Sequence, residues 1–373
     1  MSAPFDVAIV GLGAMGSASA WQLAARGRRV IGFDKFHPPH AMGSSTGKTR
    51  IIREAYWESP FYVPIVRRAY ELWDELEKKS GKHLLTRTGG LVLGDPKGPL
   101  VSGAVQSARA HDVPFEELTA AEVRKRYPSF HPREGLVGIV EPRAGVLIPE
   151  DSIAAMLAQA AGHGADLHYD EPVVSWSADG DGYALRTAKG TCRAAQIILS
   201  AGAWMATDLP GIKLPLTVAR QLLFWFEPSG GRAMFAPDRF PIWLWDTDDG
   251  RAFYGFPDFG DGPKAARHHG GPDATADTVR REIRPEEAAE VQEFMRWAMP
   301  EHYGPVISSG VCMYTNTPDE HFLIDRHPEH QGVWIASPCS GHGFKFSAAI
   351  GEALGDLVDG KATRFSLEPF KFR

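Results

Sequence analysis

Cysteine is scarce in this chain: three occur in 373 residues, Cys192, Cys312 and Cys339, with no CxxC spacing and no histidine cluster beside any of them. A disulfide scaffold is excluded on that count, and a structural zinc site is not expected. There is no excess of positive charge either, since 40 basic side chains stand against 46 acidic ones and leave a formal charge of -6. Without a positive field, a chain does not gather nucleic acid or anionic lipid, so neither is an expected partner. No run approaches the ~18 apolar residues that a membrane span needs. The N-terminus lacks the basic region and long apolar stretch of a secretory leader, and residues 370–373 spell no peroxisomal or retention signal. A cytoplasmic protein with reduced thiols is therefore the expectation. Internal repeats and low-complexity tracts are missing as well, which removes solenoids and arrays.

What is present is ordinary globular composition, 43% hydrophobic and 23% charged, at a length that suggests two domains at roughly 150 residues each. The apolar run Phe5–Val10 leads into Gly11-Leu-Gly13-Ala-Met-Gly16, then a helical segment from about Ala14 to Arg26. A second strand from Arg29 to Phe33 ends at Asp34, 18 residues after Gly16. That order of strand, glycine turn, helix, strand and acid is the βαβ unit that binds a dinucleotide, with the acid placed for a ribose hydroxyl. No Lys-Ser or Lys-Thr completes this turn into a P-loop, and neither nucleoside triphosphatase nor hydrolase chemistry is expected. Pro38 to Gly47 reads as an ordered loop. Helical patterning follows from Val63 to about Lys79, from Ile153 to Gly162, from Arg284 to Trp297 and from Phe346 to about Leu357. After the strand Ala195–Leu199, the small residues Ser200-Ala-Gly-Ala-Trp204 suggest that the first sheet has been rejoined, while the aromatic segment Leu216 to Gly255 reads as antiparallel sheet.

Several residues invite chemistry. His342 and Lys345 share the glycine-rich turn Ser340-Gly-His-Gly-Phe-Lys345, and both are costly to bury without a partner. Arg50 and Arg53 offer a fork for a carboxylate, or else stand solvated and paired with Glu54 or Glu58. Lys264 lies in the glycine-punctuated segment Gly260-Asp-Gly-Pro-Lys264, which by itself reads as a solvated loop. Tyr254 reads as core, and Cys312 as a buried structural thiol or a nucleophile. The pair His268 and His269 hints at a metal, but no acid or cysteine stands at ligand spacing, so none is expected.

The motifs Gly11-Leu-Gly-Ala-Met-Gly16, Thr49-Arg-Ile-Ile-Arg53, Tyr254-Gly-Phe-Pro257, Gly310-Val-Cys-Met-Tyr-Thr315, Asp319-Glu-His-Phe322 and Ser340-Gly-His-Gly-Phe-Lys-Phe346 together resemble the monomeric sarcosine oxidase and N-methyltryptophan oxidase family. These are flavin amine oxidases of the D-amino acid oxidase type, and the resemblance runs over nearly the whole chain. It implies an α/β plus α+β fold: a Rossmann-type FAD-binding domain (1–85, 150–215 and 310–373) interleaved with an antiparallel-sheet substrate domain (86–149 and 216–309). It implies FAD joined through a thioether to Cys312, with its ADP half on Gly11, Gly13, Gly16 and Asp34. Further cofactor contacts would come from Ala14, Met15, Ser44, Val173 and Arg50. Ala201, Gly202, Trp204, Gly341, Gly343 and Phe344 would complete them, with Lys345 serving cofactor and substrate alike. Arg53 and Lys345 would clamp a substrate carboxylate, Tyr254 and His268 would hold the amine, and Tyr314 and His342 would line the same cavity. Lys264, with Arg50 close by, would assist the reaction with oxygen.

The implied activity is oxidation of a secondary amino acid such as sarcosine by O₂ and water, giving formaldehyde, the demethylated amino acid and hydrogen peroxide, in a monomer. A bulkier or cyclic amine, a flavin dehydrogenase that does not use O₂, and a nicotinamide enzyme are the alternatives. Two departures from the family pattern stand out. Ser45-Thr-Gly-Lys48 replaces a His-His-Gly-Asp run beside the flavin loop, and Pro241-Ile-Trp-Leu-Trp245 brings two indoles where they either reshape the substrate pocket or merely pack in the sheet.

Overall fold

The computed structural model describes residues 5–206 and 213–372. Residues 1–4, 207–212 and 373, which fall in the segments expected to bind FAD, lie outside the described residues.

Two large sheets organise the chain. In the eight-stranded one, Asp166–His168, Val30–Phe33, Phe5–Val10, Thr191–Leu199 and Val333–Ser337 run parallel side by side. The first strand is apolar without alternation because both its faces are covered. Val7 and Ile9 enter the core beneath the helices, whereas Ala8 joins a second cluster on the opposite face with Ile197 and Leu199. Helices Ala14–Ala25, Pro149–Gly162 and Ser347–Val358 cover the first face. Gly351 lets two of them touch, since a Cβ there would lie 2.5 Å from the backbone of Ala18.

The second sheet has nine strands and is antiparallel except where Ile242–Asp246 runs beside Gly90–Gly94. The strand Val306–Asn316 pairs along nearly its whole length with Thr217–Phe226, so residue 310, expected as a domain boundary, falls inside a strand of this sheet. Lys264 opens the strand Lys264–His268 and is buried, which corrects its bare reading as part of a solvated loop. Strand alternation also settles the tryptophans. Trp243 and Trp245, both 0% exposed, point to the face packed on Phe130, Phe253 and Phe294, while Leu244 between them faces the other way. The two indoles pack in the sheet and do not reshape a pocket.

The same aromatic core holds His302, fully buried against the rings of Phe226, Phe235 and Phe240. Burial pushes its pKa down to about 4, so the folded chain keeps this imidazole neutral. The unfolded chain takes up the proton near pH 6.5, and stability falls as pH drops from there toward 4, by at most about 1.4 kcal/mol per pH unit. Urea denaturation across this range should show the stability gap between wild type and His302→Leu shrinking, or reversing, as the pH falls. A gap that does not change with pH would contradict a neutral buried histidine.

Candidate active site

One cavity of about 480 Å³ runs from the first glycine turn to the second sheet. At its first end Gly11 turns with φ +90°, and a Cβ there would strike Ala201 and Ser200 at 2.7 Å. A Cβ on Gly16 would lie 1.8 Å from the Gly11 carbonyl, so Gly16 serves the turn from behind the wall, whereas Gly13 faces open space and lines the cavity. Ala14 and Met15 begin the helix there with no side-chain cap. Their free amides and the helix dipole suit a pyrophosphate. Asp34 is held by Leu12 N–H on one carboxylate oxygen (2.7 Å) and Phe36 N–H on the other (2.9 Å), with His40 Nε2 at 3.4 Å. Val173, Ala201, Gly202 and Trp204 complete this end.

In the middle, Arg50 ties a loop to a strand. Its guanidinium donates to the carbonyls of Ser44 (2.9 Å), Thr46 and Thr49 (2.8 Å) and lies 3.6 Å from Cys312 Sγ. Lys264, one layer behind the wall, donates to the carbonyls of Gly47 (2.8 Å) and Thr49 (3.0 Å) and sits 4.0 Å over the Phe256 ring. Burial, then the charge of Arg50, holds its pKa well below the ordinary lysine value. Lys48, the basic residue of the departing run, turns outward to Asp261 at 2.5 Å and is not part of the cavity wall, whereas Ser45 of the same run lines it. Residues 43–49 do contain the letters G-x-S-x-G and G-K-T. They lie in a loop with no strand directly before and no helix after, and one residue short of a P-loop, so placement excludes those chemistries.

At the far end Arg53 is 3% exposed, not solvated as its bare reading allowed. It donates to Glu58 Oε2 (2.8 Å) and the Ala55 carbonyl (2.7 Å) and stacks 4.3 Å over Tyr56. Glu54 instead pairs with Arg67 and Arg143. Burial opposes charge on Glu58, but Arg53, followed by His342 and Lys345, outweighs it and holds the carboxyl below its usual value. Lys345 donates to the His342 carbonyl (2.7 Å) and Tyr56 Oη (3.1 Å). Burial and Arg53 draw its pKa down to about 7 against the partial support of Glu58. With Lys345 protonated the local charge is two cations against one anion, a site that attracts one carboxylate, and a bound carboxylate in turn favours the protonated lysine.

Tyr254, His268 and Tyr314 come from three strands of the second sheet and meet at the cavity, Tyr314 Oη being 3.3 Å from His268 Nδ1 and 3.5 Å from Tyr254 Oη. Burial, ahead of His269, keeps His268 well below the ordinary histidine pKa. His342, Gly341, Gly343 and Phe344 form the adjoining wall. Sequence reading missed Glu58 as a cavity residue, and Glu141, whose carboxylate accepts the N–H groups of Glu54 and Ala55 at 2.7 and 2.8 Å and so fixes the Arg53 segment from the second sheet. The signal for Glu58 was its five-residue distance from Arg53; for Glu141 there was none.

Ser44 Oγ, Thr49 Oγ1 and Ser337 Oγ on this wall are buried without a hydrogen-bond partner among the described residues. Such hydroxyls fit the polar edge of a bound cofactor. A family model described as FAD dependent oxidoreductase matches residues 6–357. Monomeric sarcosine oxidase of Streptomyces avermitilis is 41% identical over 363 residues, 96% of this chain and 94% of that one. N-methyl-L-tryptophan oxidase of Citrobacter koseri is 33% identical over 369 residues, 98% of each. Among solved structures, NikD, an unusual amino acid oxidase essential for nikkomycin biosynthesis, matches with a TM-score of 0.86 at 22% identity, covering 99% of this chain and 98% of that one. Glycine oxidase from Geobacillus kaustophilus matches at 0.81 and 23%, with the same coverage, and both are similar in fold. With the family model spanning nearly the whole chain and two full-length relatives above 30% identity, this chain belongs to the FAD-dependent oxidoreductases, among the flavin amine oxidases similar to sarcosine oxidase.

Proposed function

We propose that this enzyme oxidises the N-methyl group of a secondary amino acid such as sarcosine, with FAD bound covalently through Cys312. The observation that carries the substrate class is the buried pair Arg53 and Lys345, only partly neutralised by Glu58, opening on the same cavity as Cys312. The glycine turn, Asp34 and the unpartnered hydroxyls would hold FAD along the cavity, and the buried Cys312 thiol would anchor it. Bound FAD would supply the acceptor for a hydride equivalent from the N-methyl carbon, leaving the amine as an imine, and would return the two electrons to O₂ as H₂O₂. Water then hydrolyses the imine, so the amine, O₂ and H₂O become the demethylated amino acid, formaldehyde and H₂O₂.

Arg53 and Lys345 hold the carboxylate and thereby fix the position of the N-methyl carbon. The same cations disfavour a second positive charge nearby, which lowers the pKa of the substrate amine and helps it react in its neutral form. Tyr254, Tyr314 and neutral His268 surround that amine with groups able to accept or share its proton. Lys264 and Arg50 serve the reaction with oxygen: a lysine with a depressed pKa gains affinity for a proton when negative charge develops beside it. One sheet would carry the dinucleotide and the other the aromatic wall. The proposal includes a cytoplasmic monomer; the three cysteines, free among the described residues, fit a reducing compartment.

Acid precipitation of the purified protein is expected to leave yellow colour in the pellet, and in the supernatant for Cys312→Ala, while sarcosine evolves peroxide. Colour released from wild type would overturn the covalent link; no peroxide from any N-methyl or cyclic amino acid would overturn the oxidase reading. Glu58→Gln removes the anion that competes with substrate for Arg53. Acetate should then bind about tenfold more tightly, and the fold should lose about 3 kcal/mol through the unpaired buried cation. Weaker acetate binding would show that Glu58 supports the anion site instead of competing for it.

A further inference from the structure

Lys345 sits at the end of a hydrogen-bond chain whose direction can be deduced. His342 Nε2 lies 3.1 Å from the Glu320 carbonyl, which can only accept, so Nε2 carries a proton. Burial draws the His342 pKa down to about 4, which leaves Nδ1 without a proton at neutral pH. Tyr56 Oη, 2.7 Å from Nδ1, must therefore donate to it. The Tyr56 oxygen is then an acceptor toward Lys345 Nζ at 3.1 Å. The other bond of Lys345 Nζ goes to the His342 carbonyl at 2.7 Å, and the Lys345 backbone is pinned through its own carbonyl by Trp73 Nε1 at 2.9 Å. Phe322 stacks on the His342 ring and fixes its plane.

Because the chain ends on a backbone carbonyl, it cannot conduct a proton. It is an orienting device. Tyr56 is 0% exposed and lies outside the cavity wall, so it does not touch a ligand there. We infer that Tyr56 is a positioning residue for the carboxylate site: its hydroxyl, held in one donor direction by His342, aims the Lys345 ammonium at the substrate while leaving its charge uncancelled. Both protein partners of Nζ are neutral oxygens, so two of its N–H groups are fixed and the third remains for an anion. The Tyr56 ring underlies Arg53 as well, so one side chain sets the height of both cations. This inference rests on the proposed reading of Arg53 and Lys345 as a carboxylate clamp.

Tyr56→Phe keeps the ring under Arg53 and removes only the hydroxyl. Its Kd for acetate, by calorimetry on the flavin-loaded enzyme, should rise about tenfold, and KM for sarcosine by a similar factor, with kcat within threefold of wild type. Lys345 faces Arg53 and Glu58, with Arg50 farther off and the neutral Tyr56 and His342 in contact. Losing an acceptor favours its neutral form, so the alkaline loss of acetate binding should move to lower pH. In a Lys345→Met background, Tyr56→Phe should change acetate affinity less than twofold. This second comparison also decides the matter if the single variant folds poorly, because an effect of equal size with and without the lysine overturns the inference. So does a single variant that binds acetate as wild type does. If wild type itself binds no acetate, the clamp reading fails along with it, an outcome recognisable without any variant.

Discussion

The structure of this site turns on one electrostatic constraint, the burial of Arg53 and Lys345 together with a single carboxylate, Glu58. Two cations so close in a low-dielectric wall repel each other and lose hydration, and one anion compensates only part of that cost. The surrounding protein is arranged to hold them regardless. Tyr56 lies beneath both, Trp73 fixes the Lys345 backbone, and Glu141 reaches from the second sheet to hold the N–H groups following Arg53. The uncancelled charge is what makes a carboxylate the matching ligand, and the position of that carboxylate decides which carbon meets the flavin.

The two sheets matter because each supplies what the other cannot. The parallel sheet ends in amides, a glycine turn and Asp34, suited to a dinucleotide. The antiparallel sheet supplies side chains at regular spacing, and Tyr254, His268, Cys312 and Tyr314 come from three of its strands, Ala252–Phe256, Lys264–His268 and Val306–Asn316. Lys264 ties the 44–49 loop to the antiparallel sheet through the carbonyls of Gly47 and Thr49, and Arg50 braces the same loop while lying 3.6 Å from Cys312 Sγ.

The dinucleotide turn was legible in the sequence because its signal is local: a strand, glycine spacing, a helical segment and an acid at a fixed distance. The helices at 62–80 and 347–358 were legible for the same reason, through apolar periodicity. The motifs around Cys312 and Lys345 carried the family resemblance. What could not be read depended on contacts between distant segments. Trp243 and Trp245 share a face because they are two apart, but which face borders the cavity is set by how the sheet packs, and it proved to be that of Leu244. Lys264 looked like part of a polar loop until the strand it opens placed its ammonium against Gly47 and Thr49. Tyr56 resembled any core aromatic, and Glu141 any strand-end acid, since the groups they bind lie 286 and 87 residues away in the chain.

The most direct test of the account compares two reductants that share the reacting N-methyl amine and differ only in the carboxylate. Under anaerobic conditions sarcosine should bleach the yellow enzyme rapidly, and dimethylamine at the same concentration should do so at least about a hundredfold more slowly, the loss expected when a charge-assisted clamp worth about 3 kcal/mol goes unused. Equal bleaching by both would contradict the claim that the buried Arg53 and Lys345 pair selects and positions the substrate.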